Sequence, residues 1–102
     1  MKVLIADDHR LIIEGVKIKL AELDPGVEAV VAMNLDELDR AVAEHADELD
    51  LVLVDITMPG TNGHQHVARL RAQAPARPVI VLSGSEDVEL MRSLIDLGVL
   101  GF

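Results

Sequence analysis

The chain has 102 residues, of which half are hydrophobic and none is cysteine. This length suits one domain, and the hydrophobic fraction argues against disorder. Eighteen acidic and nine basic residues give a formal charge of −9, which argues against direct binding to a nucleic acid. No apolar run is long enough to cross a membrane, and no signal peptide pattern is visible, so we expect a cytoplasmic protein.

The chain opens on a strand pattern that is followed by a helix pattern. The uninterrupted apolar run Val3–Ala6 is typical of a strand that is buried on both faces. Helical spacing then extends from Arg10 to Leu23 and stops at Pro25. We expect the core-facing stripe of this helix to consist of Ile12, Val16, Leu20 and Leu23, with Leu11 and Ile13 beside it.

The same alternation continues to the middle of the chain. A strand is predicted over 27–32, where a glutamate near its start suits an edge or near-edge position. Asn34, with Glu37 three residues later, is typical of a capping box that begins a second helix. The apolar run Leu51–Val54 then repeats the design of the first strand and ends at Asp55.

The second half of the chain carries two more helix patterns. A third helix is predicted over 63–74, a fourth strand over 79–82, and a fourth helix that begins at Ser85 and ends at Gly98. Another strand pattern starts just before the chain ends. This order predicts an α/β fold, with a doubly wound parallel five-stranded sheet and right-handed crossovers, that fills residues 1–102.

Four polar side chains directly follow predicted strands, and they are Asp7, Asp8, Asp55 and Ser83. Because the carboxyl ends of parallel strands meet at one edge of the sheet, we expect these side chains to gather there. Three carboxylates in one cleft repel each other, and a divalent cation such as Mg²⁺ relieves that repulsion. Taken singly, each aspartate is also a common turn or cap residue.

Asp55 is the best candidate for a nucleophile, because it follows the most central-looking strand and precedes the rigid loop 58–63. A carboxylate can attack phosphorus to give an acyl phosphate. A bound cation would then neutralise the oxygens of the group in transfer. Thr57 lies two residues past Asp55, where its backbone carbonyl could reach the metal.

The histidines and glycines predict little chemistry by themselves. His9 adjoins the acids and could touch the site, but a position that faces solvent is favoured. His64 and His66 lie two residues apart at a helix start, so they face different directions and form no metal pair. The glycines match neither a P-loop nor a dinucleotide-binding pattern.

Three stretches together are similar to the receiver domains of two-component response regulators. They read VLIADDHR from residue 3, LVDITMPGTNG from residue 53 and VLSG from residue 81. The Asp-Asp-His opening and the GVLGF ending most resemble the LuxR-type transcriptional subgroup. The resemblance implies a flavodoxin-like receiver fold, with DNA bound only through an output domain outside this chain and no membrane partner.

The resemblance also implies roles for the acids. Asp55 would accept a phosphoryl group from a sensor histidine kinase. Asp8 and Asp55 would bind Mg²⁺ directly, Asp7 would act largely through water, and the Thr57 carbonyl would complete the protein ligands.

A switch is implied as well. Ser83 would hydrogen-bond a phosphoryl oxygen, and Phe102 matches the aromatic residue that turns inward when Ser83 moves. Family members carry a lysine three positions past this aromatic and then a last helix, and this chain ends at Phe102. We therefore expect a C-terminally truncated receiver that switches poorly and can form a homodimer. We also expect it to leave a sheet face bare near Val3 and the neighbours of Leu53.

Two other functions remain open on the sequence. The first is a receiver-like interaction module that works without phosphorylation, which the missing lysine supports and the three acids oppose. The second is a phosphatase of the haloacid dehalogenase type, which needs another aspartate two residues after its nucleophile. Thr57 occupies that position.

Overall fold

The structure is a computed structural model that describes residues 1–45, 47–55, 58–62, 65–73 and 78–82. Within these ranges, strands and helices alternate strictly along the chain. The elements are β1 (Lys2–Ala6), α1 (Arg10–Leu23), β2 (Glu28–Ala32), α2 (Leu35–His45), β3 (Leu51–Asp55), α3 (Gln65–Gln73) and β4 (Val79–Leu82). The predicted fourth helix and fifth strand lie outside the described residues.

The four described strands form one parallel sheet in the order β2-β1-β3-β4. From β1 the chain first adds β2 on one side and then crosses to add β3 and β4 on the other side. The point where the order reverses therefore lies between β1 and β3, the two central strands. Ligand sites in open α/β sheets lie at the carboxyl ends of the strands, at this kind of reversal. The predicted α/β fold with a parallel sheet is therefore confirmed, and the central strands are those that end in the acids.

Helices cover both faces of the sheet. Alternate side chains of a strand point to opposite faces, so each central strand feeds two separate cores. One core joins α1 to the sheet through Val3, Ile5, Ile13, Val16, Leu20, Leu51, Leu53 and Ile80. The other joins α2 and α3 to the sheet through Leu4, Ala6, Leu38, Val42, Val52, Val54, Val67 and Leu70, among others.

The predicted inner stripe of α1 needs one correction. Ile13 is 4% exposed, whereas Ile12 is 45% exposed and Leu11 is 85% exposed. Successive residues lie about 100° apart around a helix, so Ile12 and Ile13 flank the Val16 and Leu20 positions on either side. Packing against the sheet sets the rotation of the helix, and that rotation buries Ile13.

The prediction of a bare sheet face near Val3 and the neighbours of Leu53 is wrong, because Val3, Leu53 and its strand neighbour Ile5 are fully buried. They pack in the core that contains Ile13, Val16 and Leu20 of α1. The crossover from β1 through α1 thus brings apolar side chains over this face, a contribution that the prediction assigned to a later helix.

The start of α2 confirms the predicted cap. The side-chain oxygen of Asn34 accepts a hydrogen bond from the Glu37 backbone N–H at 2.8 Å. The Glu37 carboxylate accepts one from the Met33 N–H, also at 2.8 Å. The reciprocal bond therefore reaches one residue before the cap, and it fixes the turn between β2 and α2.

Candidate functional site

The register of the central strands brings the predicted acids together. Ala6 of β1 pairs with Val54 of β3, so Asp7 and Asp55 stand at the same level of the sheet. The Asp7 backbone N–H donates to the Ala32 carbonyl of β2 at 3.0 Å, which extends the ladder one residue further. Asp7 is buried, while Asp8 and Asp55 are partly exposed.

His9 contacts all three carboxylates. Its ring Nδ1 lies 2.8 Å from Asp7 Oδ1, 3.3 Å from Asp8 Oδ1 and 3.7 Å from Asp55 Oδ2. The His9 backbone N–H donates to the same Asp7 oxygen at 2.8 Å. The side chain is 64% exposed, which is the position that the sequence favoured. The ring also touches the acids, which the sequence left open as the alternative.

These contacts favour the protonated form of the histidine. The hydrogen bond to Asp7 and the negative charge of Asp8 raise the pKa of His9 above its ordinary value of 6.5. A protonated ring places a positive charge beside three carboxylates and so offsets part of their mutual repulsion. The same repulsion is what a bound metal ion would relieve.

The donor atoms fit a divalent cation. Asp7, Asp8, His9 and Asp55 each offer one ligand atom, and these atoms all lie within 4.8 Å of one another. Asp8 Oδ1 is buried and accepts no hydrogen bond from the residues that the structure describes, although it lies near the His9 ring. A buried carboxylate oxygen that accepts no hydrogen bond is costly unless a cation satisfies it. The pocket therefore suits an ion that prefers carboxylate oxygens, as Mg²⁺ does.

His66 is a site residue that the sequence analysis missed. It is 3% exposed, and its Nε2 lies 2.8 Å from the backbone carbonyl oxygen of Asp55. A carbonyl can only accept, so Nε2 carries the proton and donates it. Its Nδ1 is buried without a hydrogen-bond partner among the described residues. The signal was helical spacing, since His66, Val67 and Leu70 share the buried face of α3.

The loop after β3 is tied to the start of α2. The Pro59 carbonyl accepts a hydrogen bond from the Leu35 N–H at 3.0 Å. The Thr61 hydroxyl bridges the loop, because it donates to the Met58 carbonyl at 2.7 Å and accepts from the Met58 N–H at 3.1 Å. Gly60 adopts a φ of 90°, a conformation that other residues rarely adopt. The loop beside Asp55 is thus held as the dense turn pattern predicted.

Three predicted site residues, Thr57, Ser83 and Phe102, lie outside the described residues. Their assigned roles stay predictions. The described part of the chain brings together the three predicted aspartates and adds His9 and His66.

Comparison with known proteins identifies the class. Residues 3–102 match the family described as the response regulator receiver domain, and the chain belongs to that family. The fold agrees, since the crystal structure of a response regulator receiver domain protein from Clostridium thermocellum superposes with a TM-score of 0.70 at 27% identity. That match covers 95% of this chain and 75% of the other.

Two curated relatives narrow the subgroup. The chain is 37% identical over 101 residues to the glycerol metabolism activator of Pseudomonas putida, a match that covers 99% of this chain and 45% of that protein. It is 35% identical to the nitrate/nitrite response regulator protein NarP of Escherichia coli, over 99% of this chain and 46% of that protein. The chain thus spans less than half the length of these two relatives. The NarP-type homologues are LuxR-subfamily response regulators, as the sequence resemblance predicted.

Proposed function

We propose that this chain is a phosphoacceptor domain in which Asp55 takes a phosphoryl group from a sensor histidine kinase. The observation that carries the proposal is the position of Asp55. It ends a central strand of a receiver fold, and its carboxylate lies in one cluster with Asp7, Asp8 and His9.

The transfer is an attack by a carboxylate oxygen of Asp55 on phosphorus. A new P–O bond forms, the P–N bond to the donor imidazole breaks, and its electron pair stays on that nitrogen. The product is an aspartyl phosphate. Asp55 is partly exposed, so a phosphoryl donor can reach its carboxylate. The hydrogen bond from His66 to the Asp55 backbone carbonyl fixes the backbone position from which the side chain extends.

The proposed cofactor is Mg²⁺, held by the carboxylates of Asp8 and Asp55, by Asp7 largely through water, and by the Thr57 carbonyl. When bound, the ion neutralises the oxygens of the group in transfer. Asp7 holds His9 by two hydrogen bonds and so shapes the side of the cluster where these carboxylates meet. The buried Asp8 Oδ1 supports this assignment, since no described residue donates a hydrogen bond to it.

The output of the domain is also a proposal. An aspartyl phosphate adds about −1.5 to −2 charges, and we propose that Ser83 hydrogen-bonds it while Phe102 turns inward. Transcriptional control would act through a DNA-binding domain outside this chain, with a homodimer as the active assembly. The proposed location is the cytoplasm. Among the described residues, no helix is long and apolar enough to cross a membrane.

Acetyl phosphate with Mg²⁺ tests the proposal without the kinase. We expect intact-protein mass spectrometry to show the gain of one phosphoryl group, which Asp55→Asn abolishes. Asp36→Asn is the matched control, because Asp36 is an exposed acid on α2. A wild-type chain that gains no mass, or an Asp55→Asn variant that still gains it, would overturn the assignment.

A further inference from the structure

We propose that His9 is a further protein ligand of the divalent cation at Asp8 and Asp55, and that it makes the site prefer transition ions such as Co²⁺ over Mg²⁺. The inference rests on the proposed function, which places a cation at these carboxylates. It adds a nitrogen donor to a set that is otherwise made of oxygen atoms.

The position of the ring supports direct ligation. Two donors at adjacent corners of an octahedron lie about 3.0 Å apart when each is about 2.1 Å from the ion. His9 Nδ1 lies 3.3 Å from Asp8 Oδ1 and 3.7 Å from Asp55 Oδ2, which is near that spacing. The ring nitrogen therefore already stands where an adjacent ligand would stand.

The surroundings of the ring also permit ligation. The His9 backbone N–H is hydrogen-bonded to Asp7 Oδ1 at 2.8 Å, which anchors the residue while the side chain remains 64% exposed. The ring nitrogen at present contacts the same Asp7 oxygen. On ligation, the proton that Nδ1 shares with Asp7 is released to solvent, Nδ1 binds the ion in its place, and the remaining ring proton lies on Nε2.

The chemistry of the donor sets the preference. Mg²⁺ selects oxygen ligands and keeps several waters, so a nearby imidazole adds little to its affinity. Imidazole nitrogen suits later first-row ions, whose affinity for mixed nitrogen and oxygen sites rises from Mn²⁺ towards Cu²⁺. His9 therefore contributes to selectivity more than to the binding of Mg²⁺.

Calorimetric titration of the full chain with MgCl₂ and CoCl₂, at a mildly alkaline pH, measures the effect. We expect His9→Phe to weaken Co²⁺ binding about tenfold or more and to leave Mg²⁺ binding nearly unchanged. His9→Asn provides a second variant with a smaller side chain. The visible absorption spectrum of bound Co²⁺ is a readout besides affinity, and it should change when the nitrogen ligand is lost.

Two controls place the ion. His45→Phe is the matched control, since the His45 ring lies beside Glu44 and Glu48 on the surface, and it should change neither titration. Asp8→Asn should weaken the binding of both Co²⁺ and Mg²⁺, because the Asp8 carboxylate is a ligand for either ion.

The inference is overturned if both His9 variants bind Co²⁺ as tightly as the wild type does, or if they lose affinity for Co²⁺ and Mg²⁺ equally. It is also overturned if the wild type binds no Co²⁺ at this site. These outcomes leave the phosphoryl uptake of Asp55 untouched, because that measurement uses Mg²⁺ and the mass of the protein. Loss of Asp55-dependent uptake, with Co²⁺ selectivity retained, would instead overturn the proposed function alone.

Discussion

At the scale of single residues, the site combines charged groups with fixed backbone. Asp7 is held by two contacts from His9, one from its backbone N–H and one from its ring. Asp55 is held through its carbonyl by His66, a contact that leaves the carboxylate to face the cluster. A nucleophile must stand in a defined position to react, and hydrogen bonds of this kind supply that position at the end of a strand.

Gly60, in the loop beside Asp55, should tolerate a side chain poorly. Its φ is +90°, and a Cβ there would lie 3.1 Å from the Leu35 Cβ. We expect Gly60→Ala to lower the free energy of unfolding by about 1–2 kcal/mol, measured by urea denaturation.

Gly15→Ala is the matched control for this substitution. Gly15 lies within α1, and a Cβ there would meet nothing within 4 Å. Alanine in a helix interior should raise the free energy of unfolding by about 0.5–1 kcal/mol. Equal effects of the two substitutions would contradict the argument from backbone conformation.

At the scale of elements, α1 links the site to the core. Its first turn follows the acids directly, with His9 at the N-terminal cap position. Three of its side chains, Ile13, Val16 and Leu20, pack on the sheet beneath. The rotation of α1 about its axis therefore decides both which isoleucine is buried and where the chain between β1 and α1 turns.

The corrected stripe of α1 predicts unequal costs of truncation. Ile13→Ala should lower the free energy of unfolding by about 2–5 kcal/mol, since it removes a buried side chain from the core. Leu11→Ala, at an exposed position on the same helix, should change it by less than about 0.5 kcal/mol. Urea denaturation of the two variants checks the rotation, and a larger cost at Leu11 would contradict it.

At the scale of the whole molecule, the two ends of the strands carry different charges. The carboxyl ends gather the acid cluster, whereas the amino ends gather ion pairs around Lys2. The Lys2 ammonium lies 2.8 Å from a Glu48 oxygen and 3.9 Å from a Glu28 oxygen. Its backbone N–H donates to Asp50 at 2.8 Å. These contacts join β1 to β2 and to the segment that precedes β3, far from the candidate site.

The pair of Lys2 and Glu48 predicts a pH dependence of stability. The hydrogen bond from Lys2, with a second from His45, holds the pKa of Glu48 below its ordinary value of 4.5. A carboxyl with a lowered pKa in the folded state stabilises the protein above its unfolded pKa and loses that contribution as the pH falls through the folded pKa. The contribution should thus be present at neutral pH and absent in strong acid.

Glu48→Gln tests this dependence. The variant should be less stable than the wild type at neutral pH, and the difference should vanish as the pH falls below 4.5. Urea denaturation across that range gives the comparison, and the effect should be small because the pair is exposed. A difference that grows as the pH falls would contradict the assignment.

Local sequence patterns were enough to predict the order of the described elements and the position of the acids. Uninterrupted apolar runs end at Asp7 and Asp55, and strand ends in a parallel sheet share one edge whatever the details of packing. The alternation of strands and helices then sufficed for the fold class, and the Asn34 cap could be read from local spacing alone.

Features that depend on how the helices pack against the sheet could not be predicted from local patterns. The burial of Ile13 instead of Ile12 follows from how α1 turns against the sheet, and periodicity permits either. His9 contacts the Asp55 carboxylate, and His66 contacts the Asp55 backbone carbonyl. Both contacts join residues that lie in different parts of the fold. Local patterns report which face of an element is apolar, but a contact between elements depends on their relative rotation, which packing of the two cores sets.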